Sequence, residues 1–264
     1  MSPDMPGLDP GLLLWPFLAG LLVLATHVPL GRRVLARGII FLDLAVAQIA
    51  VLGVIAAHAL DLAPQSWSTQ LAAASAALAG AALLAACERR WPDIQEALIG
   101  SAFVVAASLG VLLLAGDPHG GEHLSSLLTG QILWATSEQA AQIAALYAGL
   151  MLFWGWRGAR PGSPGLDRLG FYLVFALAIT ASVQLVGVYL VFASLILPAL
   201  AVRGRSPRAG LVIGWLLGAA AYAAGLVASA WFDWPAGPAI VISLALIALL
   251  AGNGLRVVAS WRQR

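Results

Sequence analysis

With 264 residues, 61% of them hydrophobic and only 10% charged, the chain cannot cover a water-facing surface, because a soluble domain carries about 25% charged residues. Mean hydropathy is +0.91, and roughly eight or nine membrane crossings of about 20 residues each would fill the length, which excludes a soluble catalytic domain. The net charge of +2 includes fourteen basic residues, all arginine, in short separated clusters that exclude a continuous nucleic-acid surface.

The N-terminus, "MSPDMPGLDP", has no basic n-region, so the first apolar run, 12–30, is read as a span and not as a cleaved signal. Arg32, Arg33 and Arg37 follow it. The second span, 39–59, carries "FLDLAVAQIA", where Asp43 and Gln48 interrupt an apolar stretch. An intramembrane carboxylate costs about 2.5–3.5 kcal/mol and should face a water-filled cavity or a partner. Asp43 is therefore either a cation-coordinating residue or an acid paired with Arg37 at the interface. Gln48 serves as interhelical glue or as a ligand; five residues rotate a helix by roughly 140°, so the two do not share a face of a regular helix. His27 and His58, each alone near a span end, read as interfacial.

A third span, 68–88, contains the one cysteine, Cys87, a helix-packing residue that can form no internal disulfide. Arg89 and Arg90 precede the fourth span, 96–115, which opens on Glu96; an acid there suits either the helix N-terminus or a cation. "HGGEH" then gathers His119, Glu122 and His123 on the next connection. Imidazole and carboxylate suit zinc, manganese or iron, and a solvated polar turn is the plain alternative. Residues 124–135 read as a short interfacial helix, and "TSEQ" at 136–139 as a capping box that starts the span 137–156.

Beyond Arg157, Arg160 and Arg168 come a span at 169–186, a return at 189–201 too short to cross alone, and then Arg203, Arg205 and Arg208. Spans 209–229, with the small-residue stripe "GWLLG", and 238–256 complete the chain before Arg256, Arg262 and Arg264. Basic and arginine-free connections alternate strictly, which predicts an external N-terminus and a cytoplasmic C-terminus. Trp67, Trp91, Trp134, Trp154, Trp156, Trp231 and Trp234 stand near span ends, as interfacial anchors do. There is no HExxH or GxSxG, and a phosphate loop is impossible without lysine. No catalytic residue is expected, and any ATP-driven transport needs another subunit.

"SVQLVGVYLVFASLILPALAV" (182–202) with "RGRSPRAG" resembles the ATPase-coupling segment in permease subunits of the zinc/manganese/iron family of ABC importers. "RRVLARGIIFLDLAVAQIAVLG" (32–53), "EALIGSAFVVAASLGVLLLAG" (96–116), "LSSLLTGQILWATSEQ" (124–139) and "FDWPAGPAIVISLA" (232–245) resemble further blocks of that family, in order. The resemblance implies an all-α polytopic protein with a single transmembrane permease domain, 1–264, in the bacterial cytoplasmic (inner) membrane. It implies a homodimer surrounded by lipid, an external metal-binding solute-binding protein, and no partner nucleic acid. A cytoplasmic ABC ATPase would dock on a loop at about 199–210, with Ala201, Arg203, Arg205, Ser206, Pro207 and Arg208 as coupling residues. No cofactor would be permanently bound; the cargo would be a divalent metal, zinc first, then manganese or iron.

The sequence also departs from that family. Its first block usually carries Asp and, four residues on, His; here Asp43 is followed by Ala47. Counting back from Gly53 puts Gln48 in the histidine's place if a one-residue bulge interrupts the helix. Glu96 replaces an Asp, and "RGARPGSPGLDRLG" lacks the family's acidic helical pattern. Loss of the imidazole leaves harder oxygen donors, unless "HGGEH" supplies nitrogen at the external mouth. The alternative function is a self-sufficient secondary transporter or channel for divalent cations that uses Asp43 and Glu96. A non-transporting membrane scaffold is a third reading.

Overall fold

A computed structural model describes residues 10–60, 62, 63, 66–158 and 164–261. Among these the chain is helical, without strands, in the order α1 (Pro10–Arg37), α2 (Leu42–Ala59), α3 (Trp67–Arg90), α4 (Gln95–Leu114), α5 (Gly120–Thr129), α6 (Ser137–Gly158), α7 (Pro164–Ala201), α8 (Pro207–Phe232) and α9 (Ala236–Trp261). Among the described residues six helices are long and apolar enough to cross a membrane. The helix starts follow local chemistry. Ser66 caps α3 by accepting from the Thr69 N–H at 3.3 Å, and Pro207 opens α8 where no N–H is needed. Thr136 and Gln139 form the expected reciprocal capping box ahead of α6, each backbone N–H reaching the other's side-chain oxygen at 3.2 Å.

Arginine contacts define one end of the bundle. Arg33 lies 3.9 Å over the Trp154 ring of α6, and Arg37 4.1 Å over Phe171 of α7. Arg168 of α7 pairs with Glu88 of α3 at 3.3 Å, and Arg32 reaches the carbonyls just before α8. Four arginine clusters that are far apart in sequence therefore meet at one end. The side chains of Arg157, Arg160, Arg256, Arg262 and Arg264, and the first nine residues, lie outside the described residues.

The same contacts show that α7 doubles back. At 38 residues a straight helix would be about 57 Å long, well beyond a hydrocarbon core of about 30 Å. Yet Phe171 near its start and Leu195 near its finish both lie against the C-terminal part of α1, at Arg37 and Gly31. The reversal is at Gly187, whose φ of 77° and ψ of 165° break the helix into two arms. No separate loop intervenes where the sequence suggested one at 186–189. α7 and α2 are the most enclosed long helices, with 72% and 61% of their most apolar stretches buried against 22% for α4, so these two set the middle of the protein.

Small residues let the helices close up. A methyl group on Gly218 would meet Leu24 Cδ2 at 2.6 Å and one on Gly214 would meet Val28 Cγ1 at 3.0 Å, so the "GWLLG" stripe packs α8 onto α1 within the chain. At the end opposite the arginines, Gly187 meets the backbone of Leu128, Thr129 and Gly130, and Gly237 meets the Thr129 carbonyl. Gly130 (φ 74°, ψ 173°) and Gly187 both occupy backbone space open almost only to glycine. Gly187→Ala is expected to lower the thermal midpoint of the detergent-solubilised chain, since about 1–3 kcal/mol of backbone strain adds to a collision with main chain. An unchanged midpoint in a temperature scan would contradict this account of the reversal.

Several expectations are corrected. The first helix runs on to Arg37, so Arg32, Arg33 and Arg37 sit on helix, with two of them laid over aromatic rings. "HGGEH" is not a loop: α5 begins at Gly120 and ends at Thr129, where residues 124–135 had been expected to form the helix. The chain turns into α5 at Asp117, whose Oδ1 accepts the His119 N–H at 2.9 Å and whose carbonyl accepts the Gly120 N–H at 3.0 Å. α2 is an unbroken α-helix, with no bulge at positions 43–48. His27 is completely buried and not interfacial.

Candidate functional site

Asp43 occupies the first turn of α2, just after the Gly38 turn (φ 72°), and is 0% exposed. Neither of its carboxylate oxygens has a hydrogen-bond partner, Arg37 included. Glu96, in the first turn of α4, comes to the same helix start: its Oε1 accepts the Phe41 N–H at 3.2 Å, while its Oε2 is buried without a partner. Two carboxylates thus stand at the N-terminal end of α2, whose partial positive charge favours each of them. Unpaired buried carboxylate oxygen is costly, and it is the donor type that a hard or borderline divalent cation takes up. Glu88 adds a third acid at this end, with Oε1 on Arg168 at 3.3 Å and Oε2 buried and unpartnered.

Deeper along α1 lies a polar group set in apolar surroundings. Thr26 Oγ1 donates its one proton to the Val23 carbonyl at 3.0 Å, so toward His27 Nδ1, also at 3.0 Å, it can only accept. This pattern assigns the imidazole proton to Nδ1 and leaves the Nε2 lone pair bare; Nε2 is buried with no partner. Nearby hydroxyls are spoken for. Tyr147 bonds Ser182, whose own proton goes to the Ala178 carbonyl at 2.7 Å, and Ser194 bonds Tyr222 at 2.8 Å.

The connection between α7 and α8 forms a short elbow. Gly204 turns it with φ 83°, and Ala201 is buried at its root. Arg203, Ser206, Pro207 and Arg208 are exposed, and Arg205 is half-buried. Arg32 of α1 holds the elbow from below: Nη1 donates to the Pro207 carbonyl at 2.5 Å, and Nη2 to the Arg205 carbonyl at 3.3 Å and the Ser206 carbonyl at 3.5 Å. One guanidinium ties three consecutive carbonyls to the end of the helix that carries His27.

Residues 11–158 and 163–253 match the ABC 3 transport family. The chain belongs to that family. In fold, this ABC 3 chain is similar to a chain of PsaBC from Streptococcus pneumoniae in complex with Fab, with a TM-score of 0.72, 21% identity, and 91% of this chain covering 90% of that one. It is also similar to a metal-chelate type ABC transporter in an inward-facing conformation, with a TM-score of 0.65, 18% identity, and 99% of this chain covering 92% of that one. Helical, with six long apolar helices among its described residues, the ABC 3 chain is a polytopic transport component.

Within this ABC 3 chain the six residues predicted as metal ligands fall into separate places. Asp43 and Glu96 converge on one helix start. Gln48 is buried, yet on an unbroken helix it faces roughly 140° away from Asp43. His119, Glu122 and His123 lie past the far end of α4, whose 20 residues make it about 30 Å long. There His119 pairs with Glu122 at 3.5 Å, and His123 with Asp117 at 3.2 Å. Among the described residues no three His, Cys, Asp or Glu side chains converge as a metal cluster. Sequence reading missed Glu88, Arg32 and the lone pair of His27; the one sequence clue was that His27 sits inside an uninterrupted apolar run.

Proposed function

We propose that this chain is the permease subunit of an ABC-type divalent-metal importer, zinc being the first cargo to test and manganese or iron the next. The observation that carries the reading is Asp43, a wholly buried carboxylate with both oxygens unpartnered, in the helix start that Glu96 also reaches through the Phe41 N–H, at the arginine-rich end of an ABC 3 chain. The arginine-rich end is cytoplasmic by the positive-inside rule, which puts the N-terminus outside, the C-terminus inside, and the two arms of α7 among an odd number of membrane passages, nine.

Cargo enters from the opposite face, handed over by an external solute-binding protein. It passes the bare Nε2 of His27 and reaches the Asp43–Glu96 carboxylates on the way to the cytoplasm. A separate ATPase docks on Arg203, Ser206, Pro207 and Arg208 of the elbow, with Arg205 and Ala201 behind them. Two copies of the chain make the translocating unit in a bacterial inner membrane. No resident cofactor is needed, since the metal is cargo. Support for metal over an organic solute comes from the donor types, two carboxylates and an imidazole in a mostly apolar interior.

The test is uptake of zinc, manganese, iron and calcium into proteoliposomes that hold the chain with its ATPase. Accumulation of one or more transition metals, with calcium left outside, is the expected result. Accumulation of none would overturn the reading.

A further inference from the structure

We propose that His58 and His123 form a capture site for a divalent transition metal at the arginine-free end, with Asp117 orienting His123. This deepens the importer reading and rests on it for its purpose. It revises the site that the contiguous "HGGEH" suggests: the partner of His123 is not His119, one turn away on the same helix, but His58 at the end of α2.

Three observations carry the assignment. First, the His58 and His123 rings stand 5.3 Å apart, centre to centre, at 80°. Two imidazoles on one tetrahedral zinc, with Zn–N of about 2.0–2.1 Å, place their ring centres at about the same spacing. Edge-to-face packing of rings would also allow it, so the distance alone does not decide.

Second, Asp117 decides which nitrogen of His123 is available. Its Oδ1 is occupied by the His119 N–H at 2.9 Å, and its Oδ2 faces His123 Nδ1 at 3.2 Å. A carboxylate there holds the proton on Nδ1, so Nε2 presents a lone pair. This is the carboxylate–histidine arrangement that orients and strengthens metal-ligating imidazoles. His119 is held more loosely: its Nδ1 faces the Glu122 carboxylate at 3.5 Å, both side chains more than two-thirds exposed.

Third, the location admits a cation. His58 lies in the last turn of α2, where the helix's carbonyl end favours positive charge, and Asp117 offsets the opposing N-terminus of α5. His123 and Asp117 are 46% and 29% exposed, so a metal can reach them from solvent. Two protein nitrogens leave about two coordination positions free for water or for a ligand still held by a delivering protein. That geometry suits hand-over better than storage.

The measurement is cobalt(II) binding to the purified full chain, followed by its visible ligand-field absorption, with Asp43→Asn present throughout to remove the intramembrane carboxylate. One cobalt with nitrogen-donor absorption is expected. His58→Ala and His123→Ala should each weaken it at least tenfold, and Asp117→Asn about 10- to 100-fold, while His119→Ala leaves it unchanged. An unaltered affinity in His58→Ala, or equal losses in His119→Ala and His123→Ala, overturns the site. The readout needs no transport. If cobalt binds through the pair but no complex imports metal, the importer reading fails and the site stands; if import proceeds and binding ignores the pair, the site alone fails.

Discussion

Asp43→Asn is expected to cut ATP-driven metal uptake at least tenfold while leaving the chain inserted and at least as heat-stable as the unaltered protein. The two halves of that expectation have one cause. Asp43 is buried within the first turn of α2 and neither oxygen has a side-chain partner, the nearest donors being the backbone N–H groups of Asp43 and Leu44, so the fold loses only a helix-terminus interaction of about 0.3–1 kcal/mol when the charge goes. An unpaired intramembrane carboxylate costs about 2.5–3.5 kcal/mol, and the amide of nearly equal shape costs less. Burial of this carboxylate costs more than the helix start returns, and binding a cation is what would offset the difference. If Asp43 were structural, Asn would lower the thermal midpoint and uptake would fall only in proportion to lost protein. Uptake per folded molecule, measured beside a detergent melt, separates the two, and undiminished uptake would remove Asp43 from the metal path.

Arg32→Ala should leave ATP hydrolysis by the assembled complex running while metal moved per ATP falls at least fivefold. Arg32 is the link between the elbow and α1: its guanidinium meets the Pro207, Arg205 and Ser206 carbonyls at 2.5, 3.3 and 3.5 Å. Charge-assisted hydrogen bonds of this kind contribute about 1.5–3 kcal/mol each when shielded, and less in proportion to the solvent that reaches them. Without them, a push on the exposed arginines of the elbow would still move the start of α8 but would no longer carry α1 with it. Arg32→Lys should recover only part of the coupling, because an ammonium lacks the planar fork that spans neighbouring acceptors. An unchanged ratio of uptake to hydrolysis in Arg32→Ala would show that force reaches α1 by another route.

Legibility in the sequence tracked how local the deciding interaction was. The α6 start was readable because Thr136 and Gln139 complete each other's bonds within four residues. The short returning arm of α7 was readable because its length is wrong for a bilayer. The opening of α5 was not: two glycines argue against helix, and the Asp117 side chain that turns the chain there bonds residue 119, ahead of the helix. Asp43 and Glu96 could be picked out singly by the cost of charge in an apolar run, but that Glu96 reaches the start of α2 depends on its bond to the Phe41 N–H, a contact 55 residues apart. His27 was misread because one imidazole near a drawn span boundary looks interfacial until the true end, Arg37, is known. The elbow's hold on α1 spans 175 residues and leaves no local sign.

Flux by vesicles that hold this chain alone, set beside vesicles that hold it with its ATPase, addresses energisation without regard to which metal moves. Concentrative uptake should occur only in the second set, only with ATP inside reach of the arginine-rich face, and should vanish when that ATPase cannot hydrolyse. Uphill metal accumulation by the chain alone, driven by an ion gradient, would contradict the account and make it a secondary transporter.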